Sequence, residues 1–411
     1  MHIESSFKFH PVGFGLFTSG KIGNFRFVYD CGSSITRVAE DCVNREFKEH
    51  DHLNLLAISH FHKDHISGLN QLLTLVDKVD TIVLPYLTPR ERLVYILTYY
   101  KYQTQIEEES WILRFLQDPI GYLSKTFTGK IGRIILIKGN SDISSESNDN
   151  NSDNAKESDY TIDFSKLESV QEEDAIKEIE GISDEKVSIR KSGKVCLYNR
   201  TKIWQFVFYY PDPSPIAVKY FNGILKNARI GIIETKNDLI KITETKGLSK
   251  AAKTSKISDK EINNTSLLLY HSPLSNFLPN SISWVECLAQ TESLRVSIDC
   301  CVGKDTHCGF FYTGDIDLKS RYNEISTYYK ELLDQISVFQ IPHHGSIENW
   351  TPSISYRNQG ALHVVSSKLS NNRLLHPNPK VLHSIAANKG LVFWCNESNI
   401  IEIQIQTHIS Y

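Results

Sequence analysis

Asn54-Leu55-Leu56-Ala57-Ile58-Ser59 and then His60-Phe61-His62-Lys63-Asp64-His65 is the stretch on which the reading of this chain turns. The first six residues are an apolar run of strand length, bounded by a polar segment, as a buried strand should be. A strand that feeds a short loop holds it rigid, and ligand chemistry needs rigidity. The loop carries three imidazoles and a carboxylate within six residues, spaced HxHxDH. Imidazole and carboxylate together suit Zn²⁺, and also Mn²⁺ or Fe²⁺. Four such groups crowd one tetrahedral ion, but they serve two ions side by side, each taking two ligands from the loop. A surface loop that carries histidines by chance does not account for that spacing, nor for the helix start at Gly68-Leu69 that follows.

Further motifs lie outward from this loop. Val28-Tyr29-Asp30-Cys31-Gly32-Ser33 places an aspartate at the end of an early strand. Phe310-Phe311-Tyr312-Thr313-Gly314-Asp315 does the same in the second half, followed by Gln340-Ile341-Pro342-His343-His344-Gly345-Ser346 and Leu375-His376-Pro377. With HxHxDH, these resemble the metallo-β-lactamase fold. The order GD, PHHGS, HP, with Asn264-Thr265-Ser266-Leu267-Leu268-Leu269 before it, is similar to one branch, the hydrolase domain of the DNA-uptake protein ComEC and its soluble relatives. The matches cover roughly residues 10–85 and 195–400. The resemblance implies an α/β fold, an αββα sandwich of two mixed sheets with outer helices. It also implies one domain over 1–411, interrupted by a helical insertion at about 88–128 and a disordered acidic insertion at about 141–185.

The resemblance also implies a ligand set. His60 and His62 hold the first ion, Asp64 and His65 the second, and Asp315 bridges them or leans to the second. That is three ligands per ion, and typical sites add an imidazole and leave one place to water. His271 and His307 are the only histidines between the HxHxDH loop and Asp315, and neither sits in a motif. The expectation is therefore His343 for the first ion and His376 for the second. Both follow apolar strands and stand beside a proline that fixes the backbone. His344 either exchanges roles with His343 or donates to a phosphate oxygen or leaving group, which makes Asp64 and His344 the catalytic candidates. Gly345 and Ser346 let backbone amides approach a phosphate. Asn264 bonds the substrate or caps a turn. Asp30 is expected to orient a metal-binding histidine by accepting its second N–H. Trp350 is read as core, with base stacking as the rival, and His10 as structural.

Composition agrees with a folded enzyme. The chain has 411 residues, 40% of them hydrophobic, which permits a sizeable core. No stretch approaches the roughly 20 apolar residues of a membrane span, and no signal peptide opens the chain, so a soluble cytoplasmic protein without a membrane partner is expected. The eight cysteines form no CxxC pair and read as reduced. A net charge of −3 is no footprint of a general nucleic-acid binder. It averages an acidic Ser/Asn-rich stretch, Ser144 to Asn151 at its centre, against basic runs at 186–202 and 236–260. The acidic stretch has too little apolar surface to offset its ordering entropy. The basic runs either track a phosphate backbone or form solvated faces.

The pattern predicts strands at 7–10, 13–19, 25–29, 55–59, 81–84 and 131–137. More are predicted at 194–197, 203–209, 266–270, 293–298, 310–313, 337–340, 361–366 and 400–406, with helices at 67–76 and across 88–128. Two metals with an open position favour in-line attack at a phosphodiester, since attacking and leaving oxygens each gain a cation. The expected function is thus a binuclear-metal phosphodiesterase or nuclease, zinc-dependent, using metal-bound hydroxide on a phosphodiester that includes nucleic-acid strands. The alternatives are a thioester, lactone or lactam hydrolase, and a non-catalytic metal-binding regulatory module. Oligomeric state is open.

Overall fold

The computed structural model describes residues 2–102, 110–139, 160–170, 179, 182–183, 185–213, 222–223, 226, 233–244, 252, 265–274, 284–289, 293–297, 308–369 and 375–408. The amino-terminal half contains β1 (His2–Phe9), β2 (Phe17–Ile22), β3 (Phe25–Cys31), α1 (Thr36–Glu46), β4 (His52–Ala57), α2 (Lys63–Ile66), α3 (Leu69–Leu75) and β5 (Lys78–Pro85). Then come α4 (Pro89–Tyr102), α5 (Trp111–Gln117), α6 (Pro119–Thr126), β6 (Ile131–Ile137), β7 (Thr161–Ile162), β8 (Val187–Arg190), β9 (Gly193–Asn199) and β10 (Thr201–Tyr209). Later strands are β11 (Leu268–Pro273), β12 (Trp284–Ala289), β13 (Ser293–Ser297), β14 (Gly309–Tyr312), β15 (Ile336–Gln340), β16 (Leu362–Ser366), β17 (Leu391–Cys395) and β18 (Asn399–His408).

These strands form two mixed sheets. One runs β13-β12-β18-β1-β2-β3-β4-β5-β6-β8 and the other β17-β16-β15-β14-β11-β10-β9-β7. They pack face to face through aromatic rings. Phe7 stands 4.3 Å from Phe310, Phe27 5.4 Å from Phe206 and Tyr29 5.2 Å from Tyr312, centroid to centroid. Helices cover the outer faces. Over the second sheet, helix Leu318–Tyr329 is pinned by Tyr328 and Tyr329, whose hydroxyls donate to the Phe208 and Val207 carbonyls at 3.1 and 3.3 Å. This is an αββα sandwich of two mixed sheets with outer helices, the architecture expected from the sequence. No helix among the described residues is long and apolar enough to cross a membrane.

β4 is buried on both faces between parallel neighbours, with Leu53, Leu55, Leu56 and Ala57 all inaccessible, which is why it reads as one apolar run. Each leucine there contributes about 1.5–3 kcal/mol. The parallel sets β3-β4-β5 and β14-β15-β16 both carry the sequence motifs at their carboxyl ends. In open α/β sheets ligands gather in the crevice at that edge.

Three local expectations change. The strand expected at 13–19 begins only at Phe17. Gly13 and Gly15 adopt φ of +65° and +144°, and a Cβ at Gly15 would lie 2.5 Å from the Gly32 carbonyl, so these residues loop over the metal-motif segment instead. The helix expected at 67–76 starts earlier, as a single turn at Lys63–Ile66, and resumes at Leu69. The acidic insertion at 141–185 is not uniform. Residues 160–170 are docked on the body: β7 pairs with β9, and Phe164, Leu167 and Val170 are buried. Residues 141–159 and 171–178, on which the expectation of disorder falls, lie outside the described residues. The stretch 88–128 holds α4, α5 and α6, whose Leu93, Ile96, Phe115 and Leu123 join the main core.

Candidate metal centre

The loop after β4 is tied to both sheets before it reaches the first histidine. Ile58 N–H donates to the Val83 carbonyl at 3.0 Å, and Leu267 N–H donates to the Ser59 carbonyl at 2.7 Å. Further on, Leu16 N–H donates to the Asp64 carbonyl at 3.1 Å, and Gly68 N–H to the Cys31 carbonyl at 2.8 Å. Gly32 lies so close beneath the loop that a Cβ would stand 2.5 Å from Asp64 backbone atoms. The loop therefore has little freedom, which is what a preformed ligand set needs.

Two groups of three donors come together among the described residues, His60-His62-Asp315 and Asp64-His65-Asp315, each with donor atoms within 4.8 Å. Asp315 belongs to both. One of its oxygens is 3.3 Å from His65 Nε2 and the other 3.8 Å from His60 Nε2. Asp315 reaches this point because Gly314, at φ +54°, lets its loop lie against Ser59, where a Cβ would sit 2.7 Å from that of the serine. Gln340 stitches the same loop to the next: its side-chain carbonyl accepts from Thr313 N–H at 2.7 Å, and its amide donates to the Gly314 and Ile341 carbonyls.

Asp30 sits at the end of β3, inaccessible to solvent. It accepts from His65 Nδ1 at 2.7 Å, from Ser59 N–H at 2.6 Å and from the Ser59 hydroxyl at 2.6 Å. With Nδ1 donating, His65 turns Nε2 towards Asp315 and Asp64. That atom is buried and has no hydrogen-bond partner. An orphaned imidazole nitrogen facing two carboxylates is the donor set a divalent cation requires, so the residues present fit a metal.

His344 reaches the same place from the other half of the chain. Its Nε2 is 3.2 Å from an Asp64 oxygen, and its Nδ1 donates to the Ser366 carbonyl at 2.8 Å. His343 turns away, with Nδ1 2.9 Å from Asn349 Oδ1. Both residues have positive φ, +46° for His343 and +56° for His344. Two consecutive non-glycine residues in the left-handed region cost energy and persist only where surroundings hold them. Gly345 follows at φ +82°, pressed against Pro377 so closely that a Cβ would be 2.6 Å from the proline ring. His376 is half-buried, its ring centroid 6.0 Å from that of His343. Neither His343 nor His376 belongs to either donor group. Ser346 is buried, its N–H bonded to the His343 carbonyl at 3.0 Å, with its hydroxyl accepting from Glu348 N–H. Asn264 and His307 lie outside the described residues.

Burial raises the cost of ionising Asp64 and Asp315, but the His65 charge overrides it and holds both well below the usual carboxylate range. Burial also works against charge on His65, and the carboxylates of Asp315, Asp30 and Asp64 overcome it and raise its pKa well above the ordinary value. His60 is lowered well below it, first by burial and then by His65 and His62. The pocket thus combines ionised carboxylates with imidazoles, one of which carries a proton that a cation would displace.

The remaining candidates separate cleanly. His271 lies in the intersheet core, stacked on Phe310 at 4.8 Å and accepting from Trp204 Nε1, far from any ligand role. His10 is buried, stacked on Phe17 and bonded to the Ser19 hydroxyl. Trp350 is 2% exposed and donates to Ser384, so it is core and offers no face to a base. Reading the residues in order did not single out Ser59, Gly314 or Asn349. Their signal was position alone, beside HxHxDH, GD and HHGS.

No family model matches this chain, and no curated protein matches it. Among solved structures it is similar to the metallo-beta-lactamase fold protein YhfI from Bacillus subtilis, at 16% identity and a TM-score of 0.17. The match covers 24% of this chain and 43% of that one, so the chain spans less than half the length of the structure it matches.

Proposed function

We propose that this protein is a metal-dependent hydrolase acting on a phosphodiester, a phosphodiesterase or nuclease of the ComEC-like kind, with two divalent ions, zinc foremost and manganese or iron next. The observation that carries the reading is the pair of donor groups sharing Asp315. The first ion would take His60, His62 and Asp315. The second would take Asp64, His65 and Asp315, with His344 completing it. His344 meets the usual requirement for a ligand histidine, one ring nitrogen bonded to a carbonyl and the other facing a carboxylate. His344 thereby takes the place at the second ion that was expected for His376, and His343, expected on the first ion, is left to face the substrate.

A bound pair supplies an acidified water and charge compensation for the attacking and leaving oxygens. The chain's own groups do the rest. Asp30 holds His65 in one tautomer. His343 and His376, half-buried with ring centroids 6.0 Å apart, would donate to non-bridging oxygens, and His343 would protonate the leaving group. The Gly345 and Ser346 N–H groups are taken up within the turn, by the Pro342 and His343 carbonyls at 3.0 Å each, so the side chains and not the amides face the substrate. A phosphodiester of a nucleic-acid strand offers these donors two non-bridging oxygens, and a thioester or lactone only one, its carbonyl.

The test pairs elemental analysis with hydrolysis of bis-p-nitrophenyl phosphate, a thioester and a lactone, before and after chelation. Close to two ions per chain with metal-dependent phosphodiester cleavage is the expected result. Metal with turnover only of the thioester or lactone would replace the substrate class. Metal with no turnover of any would leave a binding module, and no metal after reconstitution would remove the centre itself.

A further inference from the structure

We infer that Ser59 is a positioning residue on which both ion sites depend, through a single buried hydroxyl. The inference rests on the reading of the two donor groups as ion sites.

Ser59 is inaccessible to solvent and immediately precedes the first ligand. Its hydroxyl oxygen lies 2.6 Å from Asp30 Oδ2, 2.9 Å from His60 Nδ1 and 3.4 Å from His65 Nδ1. A hydroxyl has one proton to give. The short contact to a carboxylate can only be a donation, since the carboxylate has nothing to donate. The hydroxyl must then accept from His60 Nδ1–H, which assigns His60 the tautomer with its Nε2 lone pair turned into the first donor group, 3.0 Å from His62 Nδ1 and 3.8 Å from Asp315. The same Asp30 oxygen that receives the hydroxyl also accepts from His65 Nδ1, which leaves His65 Nε2 as the donor in the second group. One network of four residues, His60–Ser59–Asp30–His65, thus sets the metal-facing nitrogen of one histidine in each site.

The network cannot easily rearrange. Ser59 N–H donates to the other Asp30 oxygen at 2.6 Å, and its carbonyl accepts from Leu267 N–H at 2.7 Å, so its backbone is held by both sheets. Gly314 closes over the side chain so tightly that a Cβ added there would lie 2.8 Å from the hydroxyl oxygen. No other described group is within hydrogen-bonding distance of His60 Nδ1. Without the hydroxyl, His60 loses its tautomer lock directly and His65 loses one of the contacts that orient Asp30.

The experiment uses the full-length protein and cobalt(II) as probe. Stepwise affinities are read by competition with a chelator, the ligand-field spectrum of each site by absorbance, and the fold by the melting temperature of the metal-free protein. Wild type should bind two ions. Ser59→Ala should weaken both binding steps, each by roughly 10–100-fold, as loss of groups behind metal ligands does. It should also alter both spectra while the metal-free melting temperature stays near wild type. Ser59→Thr, which restores the hydroxyl, should recover affinity, and Asp30→Asn should weaken both steps as well. Unchanged affinities in Ser59→Ala, or weakening of a single step, would overturn the inference while leaving the metal centre standing. Failure of the wild type to bind cobalt would remove the metal centre and this inference together. Should Ser59→Thr be too bulky to fold beside Gly314, the Ser59→Ala and Asp30→Asn pair decides alone.

Discussion

His343 and His344 are adjacent in the chain and opposite in what they face. With both at positive φ, the backbone turns so sharply that one ring reaches Asp64 and the other Asn349. Composition cannot distinguish two neighbouring histidines; only the turn does. His344→Ala is therefore expected to reduce bound metal towards one ion per chain, and His343→Ala to keep two ions and lose turnover. Elemental analysis of both variants beside the hydrolysis rate checks this, and the opposite pattern would return the ligand role to His343. Gly314 makes a second residue-scale case. Gly314→Ala adds a Cβ 2.7 Å from that of Ser59 at a φ of +54°, and strain there costs about 1–3 kcal/mol before any repacking. Chemical denaturation should show that loss, together with loss of metal. The G of GD was visible in the sequence, but the contact that demands it comes from a residue 255 positions away.

At the level of elements, apolar strands buried on both faces were legible, because a run such as Leu53 to Ile58 has few other uses. Strands with a mixed face were legible only in part: 194–197 and 400–406 fall within β9 and β18, whereas β7 and β17 were not foreseen. Only the end of β1 was foreseen, since Glu4, Ser6 and Lys8 alternate with Ser5 and Phe7, and its pairing with β18 lies almost the whole chain away. Residues 160–170 were absorbed into an acidic insertion by their surroundings in sequence. Their few apolar side chains nevertheless dock, with Phe164 at 1% exposure, 5.9 Å from Phe208 and beneath the Arg133 guanidinium. Phe164→Ala should cost about 3–5 kcal/mol, as truncation of a buried aromatic does. Replacing 160–170 by a Gly/Ser linker should lower the melting temperature, while the same replacement of 141–159 should not. An unchanged melting temperature for Phe164→Ala would mean that the segment contributes nothing to the fold.

For the molecule as a whole, buried neutral histidines impose a pH dependence on stability. Burial, reinforced by the nearby charges of Lys8 and Arg45, lowers the pKa of His10 from 6.5 to about 3. The unfolded chain therefore takes up a proton as pH falls through 6.5, and the folded chain does not. The contribution is complete above that pH and is lost on the way down to pH 3, at about 1.4 kcal/mol per pH unit. His10→Gln removes that slope. The difference in unfolding free energy between wild type and His10→Gln, measured by urea titration from pH 7.5 to 4.5, should shift steadily in the variant's favour below 6.5. A constant difference would show that His10 titrates alike in the folded and unfolded states. A bound metal would act on the whole fold too, because an ion bound only by the folded state stabilises by mass action. Addition of zinc to chelated protein should raise the melting temperature, and less so in Asp315→Ala, which removes a donor from both groups.

By itself the sequence determined the edge of the molecule at which the candidate ligands gather. HxHxDH, GD, HHGS and HP each follow an apolar strand, and strand exits in a parallel arrangement must gather at one side. It also determined which side chains are candidates there, because few residue types bind a divalent ion. Only the tertiary structure decided who meets whom. Asp315 is shared because Gly314 lets one sheet's loop touch the other's, and His344 reaches Asp64 because two left-handed residues turn the chain. Ser59 connects the sites because its single hydroxyl lies between Asp30 and His60. Such contacts depend on distances of a few ångströms between segments far apart in the chain. Neither spacing nor composition carries that information, whereas packing of the two sheets does.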